Sequence, residues 1–373
     1  MKIDTVTSII AFITLLQLTL FSVFILTTRN RIRKSLQILS VFLLSNAIFI
    51  LAFLLREFAA DIGINPRPLT TFLLDSGFLF GPTLYWYSVT MTRKVQPGRT
   101  ILFLHSIPFI LYLFFVLIHR GITSSWIIPF SVFQYALSAM HIQILCYMVA
   151  SIKEISNYQQ KIANAYSSLE KMNLNWLKLN VIAFLCMWLV DIINFISGKF
   201  EFIPDEAELI MNLLSLLINF LFANLIIYKG LTTPELFIEP MESPAKNKYS
   251  GSLLLPEQSY QIAQKLKEFM DKEKPYLEPE ITLQELSSKL DIQPRYLSQV
   301  INERLNKNFF EFINYYRIEE AKSQLASEEG IEKTVLEILY ECGFNSKSVF
   351  NTFFKKATGL TPSQYRKRCS IAS

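Results

Sequence analysis

The side chains best placed to do chemistry in this chain are hydrogen-bond donors at helical spacing near its carboxyl end, not a catalytic set. A helix opening at Pro294 would bury Leu297, Val300 and Ile301 and leave Arg295, Ser298, Gln299 and Asn302 on its outer face. A helix opening at Ser346 would bury Val349, Phe350, Phe353 and Phe354, with Lys347, Ser348, Asn351, Thr352 and Lys355 outward. Arg and Gln offer donors to purine edges, whereas Lys, Ser and Thr suit phosphate and shape contacts. For any one of these residues a merely solvated polar face is the competing reading. Catalysis, a metal centre and a bound cofactor are not expected. The chain shows no supported nucleophile–base arrangement, no glycine-rich phosphate loop and no Cys/His cluster at ligand spacing.

The elements that would position these donors form one unit written twice, 53 residues apart. Leu283 and Leu286 recur as Leu336 and Leu339, Leu297, Val300 and Ile301 as Phe350, Phe353 and Phe354, and Asn306 as Gly359. Each copy reads as a short helix, a tight turn and a second amphipathic helix, which is a helix-turn-helix. Thr282-x-x-Glu285 is a capping box, repeated one residue off register at Thr334-x-x-Glu337. Asp291 to Gln293 makes the first turn, and Pro294 opens the next helix where no N–H is needed. Gly343 supplies the second turn, and Asn345 or Ser346 can cap the helix beyond it. Residues 309–325 hold apolar positions at helical spacing and read as one linking helix.

These residues resemble AraC-type transcription regulators. The resemblance rests on Gly343-Phe344-Asn345-Ser346-Lys347-Ser348-Val349-Phe350, Phe354-Lys355-Lys356, Gly359-Leu360-Thr361-Pro362 and Tyr365-Arg366. Asn306 stands where the first copy in such proteins has glycine, and Asn is the next-best residue for a left-handed C-cap. The resemblance implies a homeodomain-like double helix-turn-helix whose two recognition helices enter successive major-groove segments of double-stranded DNA. It also implies that Arg295, Ser298, Gln299, Asn302, Ser346, Lys347, Ser348, Asn351, Thr352 and Lys355 lie on the DNA-binding faces. Arg366, Lys367 and Arg368 read as backbone clamps or as a solvated tail. From Lys246 onward there are 19 basic and 17 acidic residues, but after Glu341 there are six basic and none acidic. A local basic surface is what phosphate attraction requires.

The rest of the chain is a different kind of material. Of 373 residues 51% are hydrophobic and 18% charged, and the apolar excess lies in the first 228. Seven spans stand out, at 6–28, 36–55, 69–91, 101–118, 126–150, 177–197 and 208–228. Each approaches the roughly 20 residues that cross a bilayer. The fourth is short and interrupted by Pro108. A signal peptide at the start is disfavoured, because Thr27-Thr28-Arg29 is no small-residue cleavage site.

Loops after spans one, three and five carry eleven basic residues against two acidic, whereas the amino terminus and the other loops carry five basic against six or seven acidic. The basic loops belong inside, which puts the N-terminus outside and the DNA-binding half in the cytoplasm. Residues 151–178 keep apolar spacing, so the fifth helix should extend inward. It would touch a partner subunit or the DNA-binding half, or lie on the membrane surface. Residues 229–255, with Pro234, Pro240, Pro244 and Gly251, read as a flexible linker. The apolar stripe of residues 256–274 would pack on the first helix-turn-helix or serve as a dimerisation helix.

Within the spans, Asp75, His105, His141, Asp191 and Asn194 are the candidate signal-sensing residues. Polar groups are expensive in a bilayer and face the bundle interior. Interhelical hydrogen bonding that merely holds the bundle is the alternative. The cysteines are not placed for a disulfide framework.

The sequence therefore predicts an all-α chain in three parts: a seven-helix transmembrane sensor (1–228), a linker (229–255) and an AraC-type DNA-binding domain (256–373). In the last, helix-turn-helix one occupies about 282–304, the linking helix 309–325 and helix-turn-helix two about 334–357. The expected function is a one-component transcription regulator in the cytoplasmic membrane of a bacterium. Its expected partners are promoter DNA, membrane lipids, a small-molecule or lipid signal and a second copy as homodimer. The rival is a transporter or lipid- or small-molecule-modifying membrane protein with a fused DNA-binding reporter.

Overall fold

The computed structural model describes residues 3–27, 34–59, 70, 73, 75–93, 98–123, 129–169, 174–200, 204–232 and 254–372. Most of these are helical, with no strand among them and one isolated bridge between Tyr166 and Thr282. The chain divides into two compact units, one of Met1–Ser156 with Leu174–Glu242, the other of Asn157–Asn173 with Ser243–Ser373. Most of the linker expected at 229–255 lies outside the described residues.

The first unit contains α1 (Ile3–Thr27), α2 (Lys34–Ala59), a 3-10 turn (Asp75–Leu79), α3 (Phe80–Thr92), α4 (Arg99–His105) and α5 (Ile107–Thr123). It also holds most of α6 (Phe130–Ala163), then α7 (Asn175–Phe200) and α8 (Asp205–Thr232). Its centre is Phe42 of α2, fully buried, whose ring meets Phe80 of α3 at 6.5 Å, Phe184 of α7 at 5.5 Å and Phe222 of α8 at 5.8 Å. All three are edge-to-face, the arrangement aromatic quadrupoles favour. Where α1 crosses α2, the Ser22 hydroxyl donates to the Ser40 carbonyl at 3.1 Å and the Ser40 hydroxyl to the Ser22 carbonyl at 3.4 Å. Only small side chains permit so close a crossing.

The polarity of this unit is inverted. Leu20, Leu111 and Phe114 are exposed, while Thr14, Ser22, Ser88 and Ser151 are buried. Such an exterior suits a hydrocarbon solvent. Five helices, α1, α2, α6, α7 and α8, are long and apolar enough to cross a membrane. The third and fourth expected spans are interrupted instead. From Asp75 onward the third is a 3-10 turn followed by α3, whose 13 residues reach about 20 Å at 1.5 Å per residue, and most of 69–74 lies outside the described residues. Pro82 sits in the first turn of α3, where the missing N–H costs no intrahelical bond. The fourth breaks at Ser106, and α5 restarts with Pro108 as its second residue.

The second unit contains α9 (Pro256–Glu273), a 3-10 turn (Pro275–Leu277), α10 (Leu283–Leu290), α11 (Pro294–Glu303), α12 (Phe309–Ala326) and α13 (Glu328–Glu332). It ends with α14 (Val335–Glu341), α15 (Lys347–Thr358) and α16 (Pro362–Ala372). It has two apolar cores, and α12 belongs to both. Phe309, Phe312 and Ile313 pack with Leu286, Leu290, Leu297 and Ile301, whereas Ile318, Ala321 and Leu325 pack with Ile338, Leu339, Phe350 and Phe354. The stripe on α9 goes into the first core through Leu266 and Met270. The inward extension of the fifth span is present as α6, and its far end, with the following turn, groups with this second unit.

Candidate nucleic-acid interface

Both helix-turn-helix copies are built by the same local chemistry. At α10 the Glu285 N–H donates to Thr282 Oγ1 at 3.2 Å and the Thr282 N–H to the Glu285 carboxylate at 2.8 Å. At α14 the Glu337 N–H donates to Thr334 Oγ1 at 3.1 Å and the Thr334 N–H to Glu337 at 2.6 Å. Each box satisfies two otherwise orphaned donors. Asn308 and Glu311 repeat the arrangement at the start of α12. The turns follow at Asp291 (φ 52°) and Gly343 (φ 82°), both left-handed. Gly343 is doubly constrained, since a Cβ there would stand 2.6 Å from the Tyr276 carbonyl oxygen.

These turns aim α11 and α15. On α11, Leu297, Val300 and Ile301 are buried while Arg295 is exposed and Ser298, Gln299 and Asn302 are half-buried. The Arg295 guanidinium lies over the Tyr296 ring, 4.5 Å from its centroid. Gln299 donates to Glu303 at 2.9 Å and Asn302 to the Ser298 carbonyl at 2.7 Å. The outer donors of α11 are thus held by their own helix. On α15, Phe350 and Phe354 are buried, and Lys347, Ser348, Asn351, Thr352 and Lys355 are all exposed. Ser346 caps this helix, its hydroxyl oxygen accepting from the Val349 N–H at 3.4 Å. Arg366 is half-buried, whereas Lys367 and Arg368 are exposed.

Arg317 carries no signal in the sequence, where it is one of several charged residues in the linking helix. It is 1% exposed and among the largest buried side chains. Its Nε donates to the Tyr276 carbonyl at 2.7 Å and one terminal nitrogen donates to the Glu278 carbonyl at 2.7 Å. Burial pulls it down to about 10, so it is still charged near neutral pH. Tyr296 and Glu303, which hold Arg295 and Gln299, were also missed. Glu303 lies four residues after Gln299, the spacing at which helical side chains meet, whereas Tyr296 is the next residue after Arg295 and carries no such signal.

Among the described side chains, no two of the candidate sensing residues are hydrogen-bonded to each other. Asp75 falls in the 3-10 turn and its side chain lies outside the described residues. His105 pairs with the Tyr147 hydroxyl, and its ring lies 5.2 Å from Trp86 and 6.4 Å from Tyr85. His141 is buried beside Trp188 and Phe195. Asp191 accepts from the Ser215 hydroxyl at 2.5 Å, and one turn on Asn194 donates to Asn212 at 2.9 Å. Among the described residues, Asp191 and Asn194 share the seam between α7 and α8, and the His141 ring meets α7 through Trp188 and Phe195, which flank Asp191 in sequence. Among the described residues no group of His, Cys, Asp and Glu could hold a metal ion.

Comparison with known proteins agrees with this geometry. Residues 286–368 match the family model described as a helix-turn-helix domain. Over 91 residues the chain is 34% identical to the uncharacterized HTH-type transcriptional regulator YtdP of Bacillus subtilis, covering 24% of this chain and 11% of that protein. It is 32% identical over 88 residues to the uncharacterized HTH-type transcriptional regulator YijO of Escherichia coli, covering 24% and 30% respectively. The HTH-type transcriptional regulator in the cgkA 5' region of Pseudoalteromonas carrageenovora is 33% identical over 91 residues, covering 24% and 52%. The chain thus spans between about a tenth and a half of these relatives' lengths. No solved structure matches. The carboxyl-terminal part is a helix-turn-helix domain of AraC type, of the kind found in transcription regulators.

Proposed function

We propose that this protein is a membrane-anchored, one-component transcription regulator. The observation that carries the reading is α12, one helix shared by two apolar cores, which holds two helix-turn-helix units in a single body with donor-rich outer faces. The α11 face presents Arg295, Ser298, Gln299 and Asn302 for base edges, with Arg295 suited to guanine and Gln299 to adenine. The α15 face presents Ser346, Lys347, Ser348, Asn351, Thr352 and Lys355, which favour phosphates and groove shape. Two readers on one body bind more tightly than either alone.

The first unit anchors this reader. Five helices are of membrane length, and with the interrupted third and fourth spans they would make up the seven-segment bundle expected from the sequence. The excess of Lys and Arg in the loops after spans one, three and five supports a topology with those loops and the reader in the cytoplasm. A signal reaching the bundle from lipid or a small molecule would act through its polar groups, Asp75, His105, His141, Asp191 and Asn194. Pairing of two copies would change how many recognition helices engage an operator together.

The test is selection of duplexes from a random library by the full chain in lipid nanodiscs, followed by genomic site mapping with wild type and Asp191→Asn. A recurrent sequence motif is expected, with occupancy in cells altered by the substitution. Failure to enrich any duplex at low salt would remove the DNA-reading function. Unchanged occupancy would remove the sensing role of Asp191.

A further inference from the structure

We propose that the peptide Ala165–Ser167, immediately after α6, is a working part of the DNA reader and hands it the position of α6. This deepens the regulator reading and rests on it. The Leu283 N–H donates to the Ala165 carbonyl at 2.9 Å, and the Ser167 N–H donates to the Ile281 carbonyl at 3.3 Å. Tyr166 and Thr282 thereby form an antiparallel bridge. Thr282 is the N-cap of α10, and Leu283 is its first residue. The first N–H groups of a helix have no partner within it. The peptide supplies one, so it completes the cap of the first helix-turn-helix from 118 residues upstream.

Arg317 secures the same peptide from the other side. Its guanidinium donates to the Ser167 carbonyl and to the Ser167 hydroxyl, each at 3.4 Å. It also donates to the Pro279 carbonyl at 3.1 Å and to Asn314 Oδ1 at 3.5 Å, besides Tyr276 and Glu278. The Phe344 ring, at the turn of the second helix-turn-helix, lies 5.7 Å away. One buried cation thus meets the peptide, the turn before α10, the linking helix and the second copy. Among its described partners none is a carboxylate, so carbonyl and hydroxyl oxygens carry its hydrogen bonding. Withdrawing the peptide would strip acceptors from a buried guanidinium and from Leu283 in one step. Buried donors left unmet are costly. Seated and unseated readers are therefore distinct states rather than a continuum.

The peptide is tied closely to what moves it. α6 is one unbroken helix whose residues to Ser156 belong to the first unit and from Asn157 to the second. Beyond Ala163 the turn is tight, with the Ala165 and Tyr166 N–H groups both returning to the Ile162 carbonyl at 3.1 and 2.9 Å. Tyr158 and Ile162 are buried, so the helix end is held on its sides as well. A shift or rotation of α6 would reach Leu283 with little slack.

The experiment is hydrogen exchange on the full chain in lipid nanodiscs, with binding to a duplex selected by the wild type measured in parallel. Ser167→Pro removes the N–H that bonds Ile281. Exchange across α10 should quicken by about tenfold or more while the core of α12 stays protected, and duplex affinity should fall by about tenfold. The pair Tyr166→Cys with Thr282→Cys tests seating without relying on that variant. Residues facing across a narrow antiparallel bridge have Cα atoms about 4.5 Å apart, within disulfide reach. Oxidation should join the two segments, read as fragments held together after cleavage at a protease site placed in 233–253, and should slow α10 exchange relative to the reduced form. Wild-type exchange in Ser167→Pro, or no disulfide, would overturn the proposal even if the duplex is bound normally. A wild type that binds no duplex would sink the regulator reading, and the exchange data would still decide the seating.

Discussion

Asn306 and Gly359, 53 residues apart, both take a left-handed φ after the second helix of their copy, at 50° and 74°: Gly359 is the C-cap of α15 itself, and Asn306 stands two residues beyond Arg304, the C-cap of α11. An L-residue there costs roughly 1–2 kcal/mol, less for Asn. Asn306→Gly should therefore stabilise the reader slightly. Gly359→Ala should cost about 1 kcal/mol, because nothing stands within 4 Å of its Cβ position and only backbone strain is added. Gly343→Ala adds a clash with the Tyr276 carbonyl to the same strain, so it should cost clearly more. Pulse proteolysis of the full chain in urea, followed through a carboxyl-terminal tag, ranks the three. Equal costs for the two alanines would refute the close approach at Gly343.

The two outer faces should fail differently. Arg295→Ala is expected to lose about 1–3 kcal/mol on the selected duplex and to relax preference at one base position. Lys355→Ala should weaken all duplexes alike and lower the slope of log affinity against log salt by about one. Anisotropy titrations at several salt concentrations separate these behaviours. If both substitutions change only the slope, α11 is not a base reader.

Glu320 gives the reader an acid limit. Burial raises its carboxyl, but hydrogen bonds from Lys274, Gln324 and Tyr276 outweigh this and leave it below its ordinary value. A lowered carboxyl means the unfolded state binds the proton first. Its stabilisation is thus present above about pH 4.5 and is lost as pH falls through the lower folded value. The urea midpoint of the second unit should fall on that acid limb, and Glu320→Gln should flatten the fall. A variant with the wild-type acid limb would show that the Lys274–Glu320 pair contributes nothing.

Cys342 should be inert while the reader is folded. Burial pushes its thiol up to about 12, against an ordinary value of 9.0. The raised value means its contribution to stability is complete below about pH 9 and is lost as pH climbs toward 12. Mass spectrometry after alkylation should find Cys369, which is partly exposed, modified well before Cys342. Equal rates would contradict the packing of the second core.

In the first unit, the reciprocal serine contact predicts a steric effect rather than a loss of hydrogen bonding. Ser40→Ala should cost no more than about 1 kcal/mol, since such bonds in membranes average roughly 0.6. Ser40→Leu should separate α1 from α2 and cost several times as much. Unfolding in a denaturing detergent measures both, and a harmless leucine would disprove the close crossing.

The sequence by itself determined whatever is encoded within one helix or one turn. The capping boxes at Thr282 and Thr334, the helix start at Pro294, the inward stripe of Phe350 and Phe354, and the apolar stretches long enough for a bilayer all depend on near neighbours. Their periodicity survives in a linear reading because the backbone repeats every 3.6 residues. Tertiary structure alone decided which distant groups meet. Arg317 looked like any surface arginine, and only the fold encloses it in carbonyls at 276, 278, 279 and 167. The seating of Ala165–Ser167 on α10 pairs backbone atoms, which carry no side-chain signature. The pairing of His105 with Tyr147 and of Asp191 with Ser215 likewise depends on how whole helices are rotated against one another, a choice made by packing and not by spacing along the chain.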